Sequence, residues 1–211
     1  MRKHTVCLLT LALGGTCLAQ QWEVGAAGGL EIYKNLTVTR GSLDATAGFK
    51  PGVAASVFAA QNLYQHLGGE FRYTIGLGDM KVSSGGTEAT FAAQTHAVHY
   101  DLLFYGTRRE AKVRPFVAAG GGVKVYRGTG KEQESQPLGQ FALLTKTQQV
   151  EGLITVGGGV KLQVGRRSFV YIEARDYITR TPKNVIAPFT GSSISGWMHG
   201  FLPMLGVSIG F

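Results

Sequence analysis

His99 and Asp101 stand two residues apart, a spacing that places both side chains on one face of an extended strand. Ser56 sits on another segment that could reach them. A hydroxyl, an imidazole and a carboxylate are the parts of a nucleophile, base and orienting group. The same face also gathers Glu70 with Arg72, Glu173 with Arg175, and the single cations Arg114, Lys124 and Lys161. His99 is then one more member of a structural charge network, and no catalytic residue is assigned. His66, His96, His99 and His199 are scattered over separate segments and both parities. The two cysteines, Cys7 and Cys17, fall at the N-terminus. This pattern assigns no metal ligands and no cofactor. Asn35-Leu-Thr37 matches a glycosylation sequon and is read as chance.

The elements that carry these groups are strands. Glycine is abundant at 31 residues, proline is scarce, and no long helical pattern occurs. Alternating segments predict eight strands at 22–33, 47–60, 65–77, 91–105, 113–126, 150–164, 168–179 and 200–211. Each is long enough to cross a bilayer as a tilted strand of roughly 9–11 residues. Connections 61–64, 106–112 and 165–167 are short, whereas 34–46, 78–90, 127–149 and 180–199 are long and polar or rich in Gly and Ser. Transmembrane barrels show this alternation, with short periplasmic turns, long extracellular loops and an even strand number. Ala118-Ala-Gly-Gly-Gly-Val-Lys-Val125 also resembles Thr155-Val-Gly-Gly-Gly-Val-Lys-Leu162, and Gly25 to Ile32 is a fainter echo. Glycine there lets strands bend and pack closely. A phosphate loop would need a strand-loop-helix context, which is missing.

At the N-terminus, a basic start, an apolar run from Thr5 to Leu13 and small residues up to Ala19 form a secretory signal peptide. The expected division is residues 1–19 as signal and 20–211 as barrel. Its removal takes both cysteines and lowers the net charge from +8 to about +6. The remaining charges are spread singly, which argues against a nucleic-acid partner.

Parity sorts charge from apolar bulk in every strand. Leu67, Phe71, Tyr73 and Ile75 oppose Glu70, Arg72 and Thr74; Val98, Tyr100 and Leu102 oppose His99 and Asp101; Ile172 and Ala174 oppose Glu173 and Arg175. In the segment 47–60, Phe49, Val53 and Val57 are expected on one face, with Lys50 and Ser56 on the other. A midplane Arg or Lys facing lipid would cost about 2–4 kcal/mol. The charged face therefore belongs inside a narrow eight-stranded lumen, where unpaired charges would cost several kcal/mol and must pair. His96 and Asp176 break the pattern, and rim solvation or a bulge is expected to accommodate them. Trp22, Phe104 and Phe211 point outward near the periplasmic ends, where aromatic girdles are found.

The chain resembles the small bacterial outer-membrane β-barrel family of the OmpA transmembrane domain and OmpX. The likeness rests on the signal peptide, eight amphipathic strands, Arg114-Pro-Phe-Val117, Glu173-Ala-Arg-Asp-Tyr177 and the ending Leu205-Gly-Val-Ser-Ile-Gly-Phe211. It implies an all-β, eight-stranded, antiparallel up-and-down transmembrane barrel in a Gram-negative outer membrane, with both ends periplasmic. Val207, Ile209 and Phe211 then correspond to the signal read by the barrel-assembly machinery. The peptidoglycan-binding domain of OmpA is not expected. There is no His-x-Ser arrangement of the kind lipid A deacylase barrels use. Expected partners are outer-membrane lipid, lipopolysaccharide, the assembly machinery and an unidentified extracellular partner, with the protein a monomer. The expected role is non-enzymatic, structural or surface-interacting through the extracellular loops. Three alternatives stand beside it: a narrow conduit for ions or small solutes, a lipid-active enzyme, and a soluble lipocalin-like barrel with the polarity reversed.

Overall fold

The computed structural model describes residues 22–131 and 135–211. The signal peptide expected at 1–19 lies outside the described residues. Thirteen strands follow in order: β1 (Trp22–Tyr33), β2 (Leu36–Arg40), β3 (Leu43–Phe49), β4 (Gly52–Asn62), β5 (Leu67–Ser84), β6 (Thr87–Tyr105), β7 (Val113–Gly128), β8 (Ala142–Leu144), β9 (Gln148–Gln163), β10 (Ser168–Arg180), β11 (Ile186–Pro188), β12 (Ser193–Ile194) and β13 (Trp197–Gly210). Eight of them, β1, β4, β5, β6, β7, β9, β10 and β13, pair antiparallel in sequence order. The β1–β13 pairing closes the ring, which leaves no open edge there. Trp22 and Phe211 meet at the short-turn end, where the Phe211 amide donates to the Trp22 carbonyl at 2.9 Å.

Alternation along each strand sets two surfaces. Outward positions carry Val24, Leu30, Val53, Val57, Phe71, Leu102, Val117, Ile154, Ile172, Leu205, Val207 and Ile209, all well exposed. Inward positions carry the charged residues, which are almost fully buried. The polarity is thus the inverse of a soluble lipocalin-like barrel, and that alternative is set aside.

Departures from the expected strands concentrate at the loop end. The segment 47–60 is not one strand: Lys50-Pro51 separates β3 from β4, because proline has no amide to donate to a ladder. The break resets the alternation. Phe49 turns inward and is buried, and Lys50 turns outward to meet Glu88 at 2.6 Å, reversing the faces expected for both.

The connection expected at 78–90 is instead a continuous hairpin, β5 and β6, turned by Gly85 and Gly86. Their φ values of 57° and 82° are left-handed, as a tight hairpin of this kind requires. Segment 34–46 largely forms the β2–β3 hairpin, β8 pairs with β11, and β12 pairs with β2.

These additions share an apolar core. Val38, Ala47, Phe49, Met80, Val82, Tyr126, Leu144, Val185, Ile186 and Met198 form one buried cluster that caps the barrel. Each large apolar side chain so buried contributes about 1.5–3 kcal/mol. The described parts of the long connections are therefore a packed extension of the barrel rather than free polar loops. A second cluster, including Phe58, Tyr105, Phe116, Phe169, Tyr171, Leu202 and Met204, lines the barrel body.

Candidate functional site, the charged lumen

The lumenal charges divide into three groups. In the middle, Arg72 and Arg175 interleave with Glu70, Asp101 and Glu173. Arg72 Nε donates to Glu70 at 2.7 Å, and its Nη1 lies 2.6 Å from Glu173. Arg175 reaches Glu70 at 2.7 Å, Glu173 at 3.0 Å, and also Asp101. His99 Nδ1 donates to Asp101 at 2.9 Å, its Nε2 meets the Tyr177 hydroxyl at 2.7 Å, and that hydroxyl contacts Thr74 at 3.0 Å. Thr155 donates to Asp101 as well.

Toward the loop end, Lys124 binds Glu31 at 2.5 Å and the Tyr33 hydroxyl at 2.9 Å, while Thr95 donates to the other Glu31 oxygen at 3.1 Å. Toward the short-turn end, Lys161 binds Glu23, which also accepts from Asn62 (3.2 Å), Tyr171 (2.8 Å) and Ser208 (3.0 Å). Arg114 donates to Asn62 at 3.1 Å and to the Gln65 carbonyl at 3.3 Å, with its guanidinium 3.7 Å from the Tyr105 ring centre.

All nine residues expected in the lumen are therefore inside it: Glu70, Arg72, His99, Asp101, Arg114, Lys124, Lys161, Glu173 and Arg175. Two members were missed, Glu23 and Glu31 of β1. The expected set holds three carboxylates, Glu70, Asp101 and Glu173, against five full cations. Both missed glutamates share the inward parity of Ala27, so charge balance was the available signal.

The relay that His99, Asp101 and Ser56 suggested is not assembled. Ser56 accepts from Arg72 Nη1 at 3.0 Å, and the partners of His99 are Asp101 and Tyr177. All three residues are buried.

The glycine repeat explains how so much charge fits. Gly120 and Gly122 of β7 stand opposite Asp101 and His99, and Gly157 and Gly159 of β9 opposite Arg175 and Glu173. A Cβ on Gly120 would lie 2.1 Å from the Tyr100 carbonyl oxygen, and one on Gly122 2.0 Å from that of Val98. The two copies vacate the wall beside the central group. Their lysines, Lys124 and Lys161, then reach the two β1 glutamates.

On the outer face, the two exceptions find partners instead of a bulge. His96 meets the Tyr73 hydroxyl at 2.8 Å, and Asp176 accepts from His199 Nδ1 at 2.7 Å. Adjacent strands supply both pairs at diagonal positions. Val207, Ile209 and Phe211 are well exposed on the outer face of the last strand and its end.

No protein-family model matches the chain, and no curated protein sequence matches it. Solved structures do. Neisserial surface protein A is 14% identical over 92% of this chain and 99% of its own, with a TM-score of 0.55. The outer membrane protein OprG from Pseudomonas aeruginosa is 10% identical over 92% of this chain and 97% of its own, with a TM-score of 0.58. The closed ring, the inverted polarity and these likenesses agree: the chain has the fold of the small bacterial outer-membrane β-barrel proteins.

Proposed function

We propose that this protein is an integral outer-membrane barrel, non-enzymatic, that acts through the packed cap at its loop end. The observation that carries the membrane reading is the inverted polarity, with an apolar outer wall around a lumen whose charges are nearly all paired. In water that wall would leave a large apolar surface exposed, far beyond the few hundred Å² a soluble monomer tolerates. In a bilayer it is the expected lipid-facing band. The short-turn end faces the periplasm in this reading, and the cap faces the cell exterior. Lipid and lipopolysaccharide surround the wall, and the assembly machinery reads Val207, Ile209 and Phe211 during insertion.

Two measurements test this. The unboiled protein should run as a compact, heat-modifiable band in outer-membrane fractions; its absence there would sink the reading. Orientation follows from single cysteines, since Cys7 and Cys17 leave with the signal peptide. Thr87→Cys at the cap should react with an impermeant maleimide on whole cells, and Arg166→Cys in a short turn should not. The opposite labelling would reverse the orientation.

The cap also offers a contact surface. Leu143 and Phe189, on and beside the β8–β11 pair, are exposed, and Arg40 stands 5.3 Å from the Phe189 ring centre. An aromatic and a guanidinium at an exposed apolar patch are the residue types that dominate protein interfaces. Leu143→Ser with Phe189→Ser should abolish adherence of expressing cells without changing the heat-modifiable band. Unchanged adherence would count against a surface role for this patch. Against the conduit alternative stands a lumen packed with Arg72, Arg175, Tyr171 and Tyr177. Stepwise conductance in planar bilayers would restore it.

A further inference from the structure

At the short-turn end the lumen opens into a cavity of about 390 Å³, walled by Arg109, Arg114, Lys161, Glu23, Asn62 and Gln163 among others. The cations of the lumen are not equally served. Lys161 binds Glu23, and Glu23 is itself saturated by Lys161, Asn62, Tyr171 and Ser208. Arg72, Arg175 and Lys124 each hold a carboxylate. Arg114 is 3% exposed and has none within ion-pair distance among the described residues; its partners are two neutral oxygens and the Tyr105 ring. Its Nε–H is buried and donates to no partner among the described residues. A buried guanidinium without a counter-charge is costly, and Lys161 and Arg109 on the same wall add to the positive potential.

We propose that this cavity binds a small anion carrying a phosphate or carboxylate group, with Arg114 supplying the counter-charge and Lys161 and Arg109 the surrounding field. A guanidinium suits either group, because its planar N–H donors match two oxygens at once. The exposed turn residue Glu110 also lines the cavity and is the carboxylate that would compete. Entry would be from the periplasm if the proposed orientation holds. Binding itself does not depend on that orientation.

The full chain folded in detergent micelles allows a direct test. The buried Arg114 Nε–Hε group gives a site-specific nitrogen–proton NMR signal. Inorganic phosphate and acetate are titrated separately at constant ionic strength against chloride. A saturating shift with phosphate or with acetate is expected, and the one that saturates at lower concentration identifies the preferred group. Shifts that stay linear and match chloride for both anions would overturn the site.

Two variants add independent arms. Gln163→Glu places a like charge at the cavity without touching the guanidinium and should weaken binding about tenfold or more. Glu110→Gln removes the competitor from an exposed turn and should tighten binding. Unchanged affinity in Gln163→Glu, or weaker binding in Glu110→Gln, would each refute the proposal. Because micelles carry no sidedness, a wrong membrane orientation would leave these results unchanged, so the two failures are separable.

Discussion

The Glu31–Lys124 pair gives the sharpest test of whether the lumen is held by ion pairing. The charges sit 2.5 Å apart with their side chains 4% and 1% exposed. At an effective dielectric of about 20, two unit charges at that distance attract by about 7 kcal/mol before desolvation is subtracted. Removing one partner leaves the other buried and uncompensated, which costs about 3–5 kcal/mol. Glu31→Gln leaves Lys124 without a carboxylate, with the Tyr33 hydroxyl and the rings of Tyr33, Tyr126 and Tyr177, and Lys124→Met leaves Glu31 with Thr95 alone among the described residues. Each single substitution should therefore cost about 3–5 kcal/mol. The double substitution removes both charges and should fall within about 2 kcal/mol of the parent, for a coupling of at least about 4 kcal/mol. The assay is urea unfolding of the protein folded in lipid vesicles, followed by the fluorescence of Trp22 and Trp197. With a slope of about 1–3 kcal/mol per molar urea, each single variant should lower the midpoint by about 1 M or more. Single costs below about 1 kcal/mol, or simple additivity in the double variant, would refute the view that this pair is a desolvated ionic contact.

Other outcomes follow from the same geometry. Gly120→Val should block folding, because its first side-chain atom would lie 2.1 Å from a carbonyl oxygen; Gly152→Ala, where a Cβ meets nothing within 4 Å, should leave the folded fraction unchanged. An equal folded fraction for both in the heat-modifiability assay would contradict the close-approach argument. Deleting Phe211 removes an exposed ring and one backbone hydrogen bond, so the folded barrel should lose no more than about 1 kcal/mol while its outer-membrane level drops sharply. Normal outer-membrane levels would count against an assembly role.

In the cap, a hydrogen bond from Lys50 holds the Glu88 carboxyl below the usual glutamate range. A depressed carboxyl favours the folded state above the ordinary glutamate pKa, and that contribution is lost as pH falls through the lowered value. Carboxyl carbon NMR should place the Glu88 midpoint below those of other exposed glutamates and return it to their range in Lys50→Ala. No change in that variant would rule the contact out.

Within the barrel body, the strand pattern shows how far local chemistry reaches. Val98, Tyr100 and Leu102 against His99 and Asp101, or Ile172 and Ala174 against Glu173 and Arg175, needed only the period-2 geometry of an extended chain. Nothing distant has to be known to place them, and the structure puts each on the expected side. Loop lengths likewise marked the two ends, because a short link between strands can only be a tight turn.

The same local logic failed at Pro51, where one missing amide shifts the phase and sends Phe49 inward. It also failed in the cap. Asp79 and Lys81 look like loop residues, yet Met80 and Val82 beside them alternate inward into a core completed by Val185, Ile186 and Met198 from far along the chain.

In the barrel body, local chemistry sorts the residues of each strand into two faces, since side-chain direction in a strand is a local property; that the charged face lines the lumen and the apolar face meets the outside follows from the folded ring. Who pairs with whom inside depends instead on how distant strands meet. Lys124 and Glu31 are 93 residues apart, and Lys161 and Glu23 are 138 apart. Their contacts exist because ring closure brings β1 across the lumen from β7 and β9, at heights set by the register of every intervening strand. No local pattern carries that register. For this reason, the two β1 glutamates that complete the charge balance became visible as partners only in the folded barrel.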